Sequence, residues 1–233
     1  MIPDVPKLVT AVGGLGTASF GLVDAFKAVF SGINRMGLAG IHDAVTALTP
    51  DAPPQQKIHE TLEANWINGT DLSSQKSIAK SLIKLNLNAA NAPKLAAATG
   101  VDPDVLTNVA TKIATGNAPG NALKPNESDV YQRFDFAVTS LLDEAYQRSD
   151  QVYRNQTRAL AMLVSISLAF AGGVILHDVK ETNFWDWAKN FFGSRDFWES
   201  LIVGVLATPL APVAKDLSTA LAAAVNTLQL VKK

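Results

Sequence analysis

The chain has 233 residues, of which 48% are hydrophobic and 18% are charged, and its formal net charge is −1. This near-neutral charge gives no electrostatic basis for nucleic-acid binding. The absence of cysteine excludes disulfides, iron–sulfur clusters, thiolate metal sites and cysteine nucleophiles. Acidic and basic residues are missing from 8–23, 159–176 and 201–214. The distribution predicts an all-α membrane protein with three transmembrane helices and a small α-helical extramembrane domain between spans 1 and 2.

The first membrane helix is predicted over residues 1–30. Its apolar stretch contains four glycines, which would let a second helix approach closely, as helix contacts in membranes prefer. These predicted packing positions are Gly13, Gly14, Gly16 and Gly21. A cleaved signal sequence or a soluble amphipathic helix is the alternative for this segment.

The extramembrane domain is predicted over residues 31–127, as short helices joined by turns and followed by a turn-rich linker. Ile58, Leu62 and Trp66 fall at helical spacing. The run that starts at Asp71, Asp-Leu-Ser-Ser-Gln, has the residue pattern of a helix N-terminus. No stretch alternates between apolar and polar residues as a strand does, so the domain is predicted to be all-α.

One long helix is predicted over residues 128–176, with Ser128 or Asn126 as its cap. Its outer half carries a single apolar stripe, which predicts packing against the helices of 55–115. The stripe consists of Tyr131, Phe134, Val138, Leu141 and Ala145.

The inner half of this helix, 159–176, has no charged residue and is long enough to be the second span. Gly172 and Gly173 near its end are further predicted helix-packing positions.

Residues 177–199 are predicted to form an aromatic interfacial loop or helix, because aromatic side chains favour the membrane–water interface. A soluble aromatic core segment is the alternative. The predicted interface anchors are Trp185, Trp187, Phe191, Phe192 and Trp198. Residues 200–233 are predicted to contain a third span, of about 200–221, and a C-terminal tail.

Positive residues near the spans predict the orientation, because they favour the cytoplasmic side. Arg148, Arg154 and Arg158 precede the second span, and Lys232 and Lys233 close the sequence. The extramembrane domain is therefore predicted to be cytoplasmic.

Two groups of residues carry a resemblance to a known family. The first group is Arg133-Phe134-Asp135, Asp143, Tyr146, Arg148, Tyr153, Arg154 and Thr157, directly before the second span. The second is the Leu210–Leu217 segment, Leu-Ala-Pro-Val-Ala-Lys-Asp-Leu, and Leu22-Val23-Asp24-Ala25 in the first span is also similar. Together these motifs resemble a family of uncharacterised bacterial three-span membrane proteins. The family has aromatic residues where this chain has Val213 and Ala214, and the middle of the chain is unmatched. The resemblance implies a location in the bacterial inner (cytoplasmic) membrane and no activity.

The three histidines, His42, His59 and His177, are far apart in the sequence and lack metal-ligand spacing, so no metal site is predicted. His59-Glu60 begins like a metallopeptidase motif, but Glu63 stands where the motif needs histidine. His177 is the single candidate for a pigment ligand, against the alternative of a hydrated interfacial residue. No cofactor is predicted.

Catalytic motifs are also lacking: there is no nucleophile elbow and no phosphate loop. Asp135, Asp143 and Glu144 are interpreted as a solvated helix face with arginines nearby. The chain is therefore predicted not to be an enzyme.

Three functions remain open at this stage. The first is a structural or scaffolding subunit that organises partners in a membrane protein complex, its partners being the lipid bilayer and other membrane subunits or further copies of itself. The second is an oligomeric pore or transport-related protein, for which Ser165, Ser167, Thr208 and the Lys215-Asp216 pair are the available polar groups. The third is a cofactor-binding subunit of an energy-converting complex, through His177.

Overall fold

The computed structural model describes residues 5–50, 55–116, 122–177 and 184–211, and its regular structure there is entirely helical. The helices are α1 (Val5–Val29), α2 (Ser31–Asn34), α3 (Leu38–Leu48), α4 (Gln55–Ile67), α5 (Leu72–Leu85), α6 (Ala92–Thr99), α7 (Pro103–Thr115), α8 (Pro125–Leu176) and α9 (Phe184–Gly193). Residues 195–211 are helical as well and are called α10 below. The all-α prediction is confirmed.

The chain divides into two compact units. The terminal unit comprises Met1–Ile33 and Asn155–Lys233, and the central unit comprises Asn34–Arg154. Helix α8 contributes residues 125–154 to the central unit and residues 155–176 to the terminal unit.

The long helix predicted over 128–176 is present, and it begins at Pro125. The predicted caps, Ser128 and Asn126, lie inside its first turn. The backbone N–H of Lys124 instead donates to the Glu127 carboxylate over 2.7 Å. A glutamate at the third helical position that accepts from the residue before the helix is one half of a capping box.

Glu127 also binds Lys112 of α7, with 2.6 Å between the Lys112 Nζ and the carboxylate, although the Glu127 side chain is only 7% exposed. The hydrogen bond from Lys112, together with that from the Lys124 backbone, holds the pKa of Glu127 below its usual value of 4.5. One buried carboxylate thus joins the start of α8 to α7.

Acid is expected to weaken this junction. Because the folded-state pKa of Glu127 is lowered, its contribution to stability is full above pH 4.5 and is lost as the pH falls through the folded-state pKa. Urea unfolding between pH 6 and pH 3 should show a steeper loss of stability in the unmodified chain than in Glu127→Gln. Glu144→Gln is the matched control, because Glu144 is exposed and, among the described residues, pairs with Arg148 of its own helix. Equal pH slopes for all three chains would contradict the prediction.

The core of the central unit joins α8 to the short helices, as the apolar stripe predicts. Helix α3 buries Leu38, Ile41, Val45 and Leu48 at helical spacing. Helix α8 buries Phe134, Val138, Leu142 and Tyr146, one residue per turn, and these belong to the same cluster as residues of α3 to α7.

The buried face of α8 differs from the predicted stripe in its second half. Leu141 is exposed and Leu142 is buried in its place. Tyr146 is likewise buried, where the stripe has Ala145. Both sets of positions are apolar and lie at spacings of three or four, so periodicity alone does not separate them. The Tyr146 ring is so deeply buried that the pKa of its hydroxyl rises to about 12.

Three lysines of α5 bind two aspartates of α8. Lys76 pairs with Asp143, with an N–O distance of 2.5 Å, and Lys80 and Lys84 pair with Asp135 at 2.6 and 3.0 Å. The interpretation of Asp135 and Asp143 as a solvated face beside arginines is wrong, because their partners are lysines of a neighbouring helix. Glu144 does pair with an arginine, Arg148.

Two glycines close to the start of α3 allow it to pack closely on α8. Gly37 has a φ of 86°, in the left-handed region, and a Cβ there would overlap the backbone carbonyl of Ser149. A Cβ on Gly40 would lie 3.0 Å from the Ser149 hydroxyl oxygen. The Trp66 indole N–H donates to the Asn34 carbonyl over 2.9 Å, which fixes the chain just before Gly37.

Among the described residues, one helix is long and apolar enough to cross a membrane, and it is Pro125–Leu176. Only 22% of its most apolar 18-residue window is buried. The predicted first span falls on α1 and the predicted third span on α10 and the residues after it, of which 212–221 lie outside the described residues. Neither α1 nor α10 is long and apolar enough by this measure, so the three predicted spans are not confirmed.

Candidate functional sites

The small-residue contacts of the terminal unit involve α1, α8 and α10. A Cβ placed on Gly16 of α1 would lie 2.7 Å from the Ala211 Cβ, and one on Gly204 of α10 would lie 2.7 Å from the Ile166 Cα. A Cβ on Gly173 would lie 3.2 Å from the Ser200 Cβ. These helices approach one another at positions where only glycine fits.

The predicted packing glycines divide into two groups. Gly16 and Gly173 are at close helix contacts, whereas Gly14, Gly21 and Gly172 have no atom within 4 Å of an added Cβ. Gly13 is buried. Gly204 is a close contact that the sequence analysis does not single out. Gly204 lies two turns before Ala211 on α10. It is part of an ordinary apolar run, and nothing in the sequence marks it as a helix contact.

One face of α1 carries only small exposed residues. Gly14, Ala18, Gly21 and Ala25 recur every three or four residues, and all four are exposed. This spacing places them on one side of the helix. Within a bilayer, such a face suits close packing against another helix.

Phe191 is at the centre of an aromatic cluster in the terminal unit. Its ring is parallel to that of Trp187, with 5.5 Å between the centroids, and lies edge-on to those of Phe192 and Phe197 at 5.8 and 5.9 Å. Of the five predicted interface anchors, Phe191 is only 3% exposed and Trp187 is half-buried. Trp185, Phe192 and Trp198 are 70%, 59% and 56% exposed and keep the position that an anchor needs.

His177 contacts the same cluster. Its ring is edge-on to Phe191 at 5.5 Å, and its Nδ1 lies 2.8 Å from a carboxylate oxygen of Asp196. The pairing with Asp196 orients the imidazole and occupies Nδ1, which leaves Nε2 as the one nitrogen that a cofactor could use.

His42 and His59 are brought together by α3 and α4, although the sequence separates them. Their ring centroids are 4.4 Å apart, and the rings meet edge to face. The Nε2 of His59 lies 3.1 Å from the Thr46 hydroxyl oxygen. Burial, followed by the proximity of His59, lowers the pKa of His42. The signal in the sequence is the helix breaker TPDAPP about midway between them, since a short connection makes two helices antiparallel neighbours.

Two grooves open on the central unit. The first, of about 420 Å³, lies between α3 and α8 and is lined by alanines and by the charged side chains of Asp43, Glu144 and Arg148. The second, of about 300 Å³, is lined by Trp66, Tyr153 and Gln75 among others. Leu141, the residue that turns away from the core, lines the first groove.

In the part of the chain that the structure describes, no group of three or more histidine, aspartate or glutamate side chains is arranged to hold a metal ion. Comparison of the chain with protein-family models, with curated proteins and with solved structures finds no match in any of the three.

Proposed function

We propose that this protein is a membrane-anchored scaffolding subunit of a bacterial inner-membrane complex, with no catalytic activity of its own. The observation that carries the proposal is the apolar part of α8, which has the length of a span and is mostly unburied. A soluble protein buries such a helix in its core, whereas a lipid bilayer accepts it as it stands. The resemblance to bacterial three-span proteins supports the same location.

The anchor in this proposal has three spans, α1, the end of α8, and α10 with the residues after it. The close contacts at Gly16, Gly173 and Gly204 support it, because helices in lipid associate through small residues. Trp185, Phe192 and Trp198 would lie at the interface. The arginines that precede the span support a cytoplasmic position for the central unit, because positive residues favour that side.

The scaffold offers partners two kinds of surface. One is the small-residue face of α1, which fits another transmembrane helix, from a further subunit or a second copy. The other is the pair of grooves on the central unit, since the larger is lined by both apolar and charged side chains. A protein that served only as a membrane anchor would need neither the small-residue face nor the grooves.

The pore alternative has less support. Of its predicted lumen-lining groups, Ser165 is 0% and Thr208 is 5% exposed, so both are inside the helix contacts of one protomer. Ser167 is exposed but hydrogen-bonds back to the Leu163 carbonyl over 2.9 Å. The cofactor alternative depends on Nε2 of His177, and an absorption spectrum of the purified protein tests it.

Association in mild detergent tests the scaffold directly. Light scattering is expected to give a protein mass well above the 24.7 kDa of one chain, from copies of the chain or co-purified subunits. Gly14→Ile combined with Gly21→Ile should shift the population towards the single chain by closing the small-residue face. Leu22→Ile on the same helix is the control and should leave the mass unchanged. A lone 24.7 kDa chain with nothing bound would overturn the proposal.

A further inference from the structure

His42 and His59 each have a buried ring nitrogen with no hydrogen-bond partner among the residues that the structure describes. The atoms are Nε2 of His42 and Nδ1 of His59. Buried polar atoms in folded proteins are nearly always satisfied, by protein, ordered water or an ion. Here the two nitrogens belong to neighbouring rings, whose centroids are only 4.4 Å apart.

The hydrogen bond of His59 determines which nitrogen is available. Its Nε2 lies 3.1 Å from the Thr46 hydroxyl. When the Nε2–H donates to that oxygen, Nδ1 carries the lone pair and can bind a metal. Histidine ligands of metal ions are commonly held by such a second hydrogen bond, which fixes the tautomer and the ring orientation.

The separation of the rings suits a shared ion. Imidazole nitrogens bind zinc at about 2.0–2.1 Å, so two nitrogens on one ion are at most about 4.2 Å apart. Each ring centroid lies about 1 Å behind its nitrogen, so tetrahedral binding places the two centroids about 5 Å apart. The rings, whose centroids are now 4.4 Å apart, therefore have to separate slightly, by rotations about their side-chain bonds. Both helices are fixed in the core by neighbours of the histidines, Ile41 of α3 and Ile58 of α4.

The surrounding charges favour a cation. Asp43 and Glu63 are within electrostatic range of His42. Glu63 is one turn beyond His59 on α4 and pairs with Arg35 over 2.7 Å.

We propose that His42 and His59 together bind one divalent transition-metal ion of the zinc class through Nε2 and Nδ1, with water in the remaining positions. Imidazole is a preferred ligand for zinc, copper and nickel and a poor one for magnesium or calcium. The site bridges α3 and α4, so an ion bound there stabilises the central unit.

The full chain, purified in detergent without a histidine tag, tests the site. With ZnCl₂ at ten times the dissociation constant, its Tm is expected to rise by about 5 °C, and with MgCl₂ it should not change. His42→Gln and His59→Gln should each abolish the zinc response. His177→Gln, the matched control, should keep it, because His177 is in the other unit. Unchanged Tm with zinc, or a response that survives in both variants, would overturn the proposal.

A second measurement needs no substitution. Chemical modification of histidines by diethyl pyrocarbonate, read by mass spectrometry, should be suppressed by zinc at His42 and His59 and unaffected at His177. Modification of His42 and His59 that is the same with and without zinc would overturn the site.

Discussion

Replacement of Gly37 by alanine is expected to lower the free energy of unfolding by about 3 kcal/mol. Two costs add up. A side chain at a φ of 86° costs about 1–2 kcal/mol, because its Cβ crowds the following carbonyl. The added Cβ also overlaps the Ser149 carbonyl of α8, and overpacking costs about 1–3 kcal/mol when the neighbour cannot move.

Gly69→Ala separates the two costs. Gly69 has a φ of 68°, also in the left-handed region, but no atom lies within 4 Å of an added Cβ. Gly69→Ala should therefore lower the free energy of unfolding only by the cost of the left-handed backbone conformation, about 1–2 kcal/mol. Urea unfolding of both variants, followed by circular dichroism, measures the difference. Equal losses would show that the close contact of Gly37 with Ser149 contributes nothing to stability.

Local signals explain why much of the fold is predictable from the sequence. Asp71 starts α5 as predicted, and its side chain accepts from the Ser74 backbone N–H over 2.9 Å. The length of α8 follows from the absence of glycine and proline before Gly172. Each of these features depends on residues within a few positions of one another, so the sequence contains all the information that they need.

Contacts between distant segments are the part that sequence reasoning misses. Lys80 and Asp135 are 55 residues apart, and each reads as an ordinary surface charge until α5 packs along α8. His42 and His59 look isolated for the same reason. Which glycines are close contacts also depends on the partner helix: Gly16 faces Ala211, while Gly14, two positions earlier, faces open space.

The aromatic residues and the first groove also show that local sequence signals are predictable whereas contacts between helices are not. Five aromatic residues read alike as interface anchors, because composition gives their preference for the interface but not their direction. The packing of α9 and α10 turns Phe191 inward to the cluster and leaves Trp198 exposed. Leu141 lines a groove because α8 buries Leu142, one residue further along the same helix.

Ser167→Arg is expected to reduce membrane insertion of the chain strongly. Ser167 is exposed near the middle of 159–176. If this surface contacts lipid, an arginine at the centre of a span costs about 2–3 kcal/mol more than serine, which lowers the ratio of inserted to uninserted chain roughly 30- to 150-fold. The measurement is the fraction of protein that stays in the membrane pellet after an alkaline carbonate wash.

Ser140→Arg is the matched control on the same helix. Ser140 is exposed like Ser167, but it belongs to the central unit, where the proposed function places water around α8. Arginine at an exposed helix position in water changes stability by no more than about 0.5 kcal/mol, so this variant should remain in the pellet like the unmodified chain. Equal retention of both variants would mean that the surface around Ser167 faces water, and the apolar run would then need a protein partner instead of lipid to cover it.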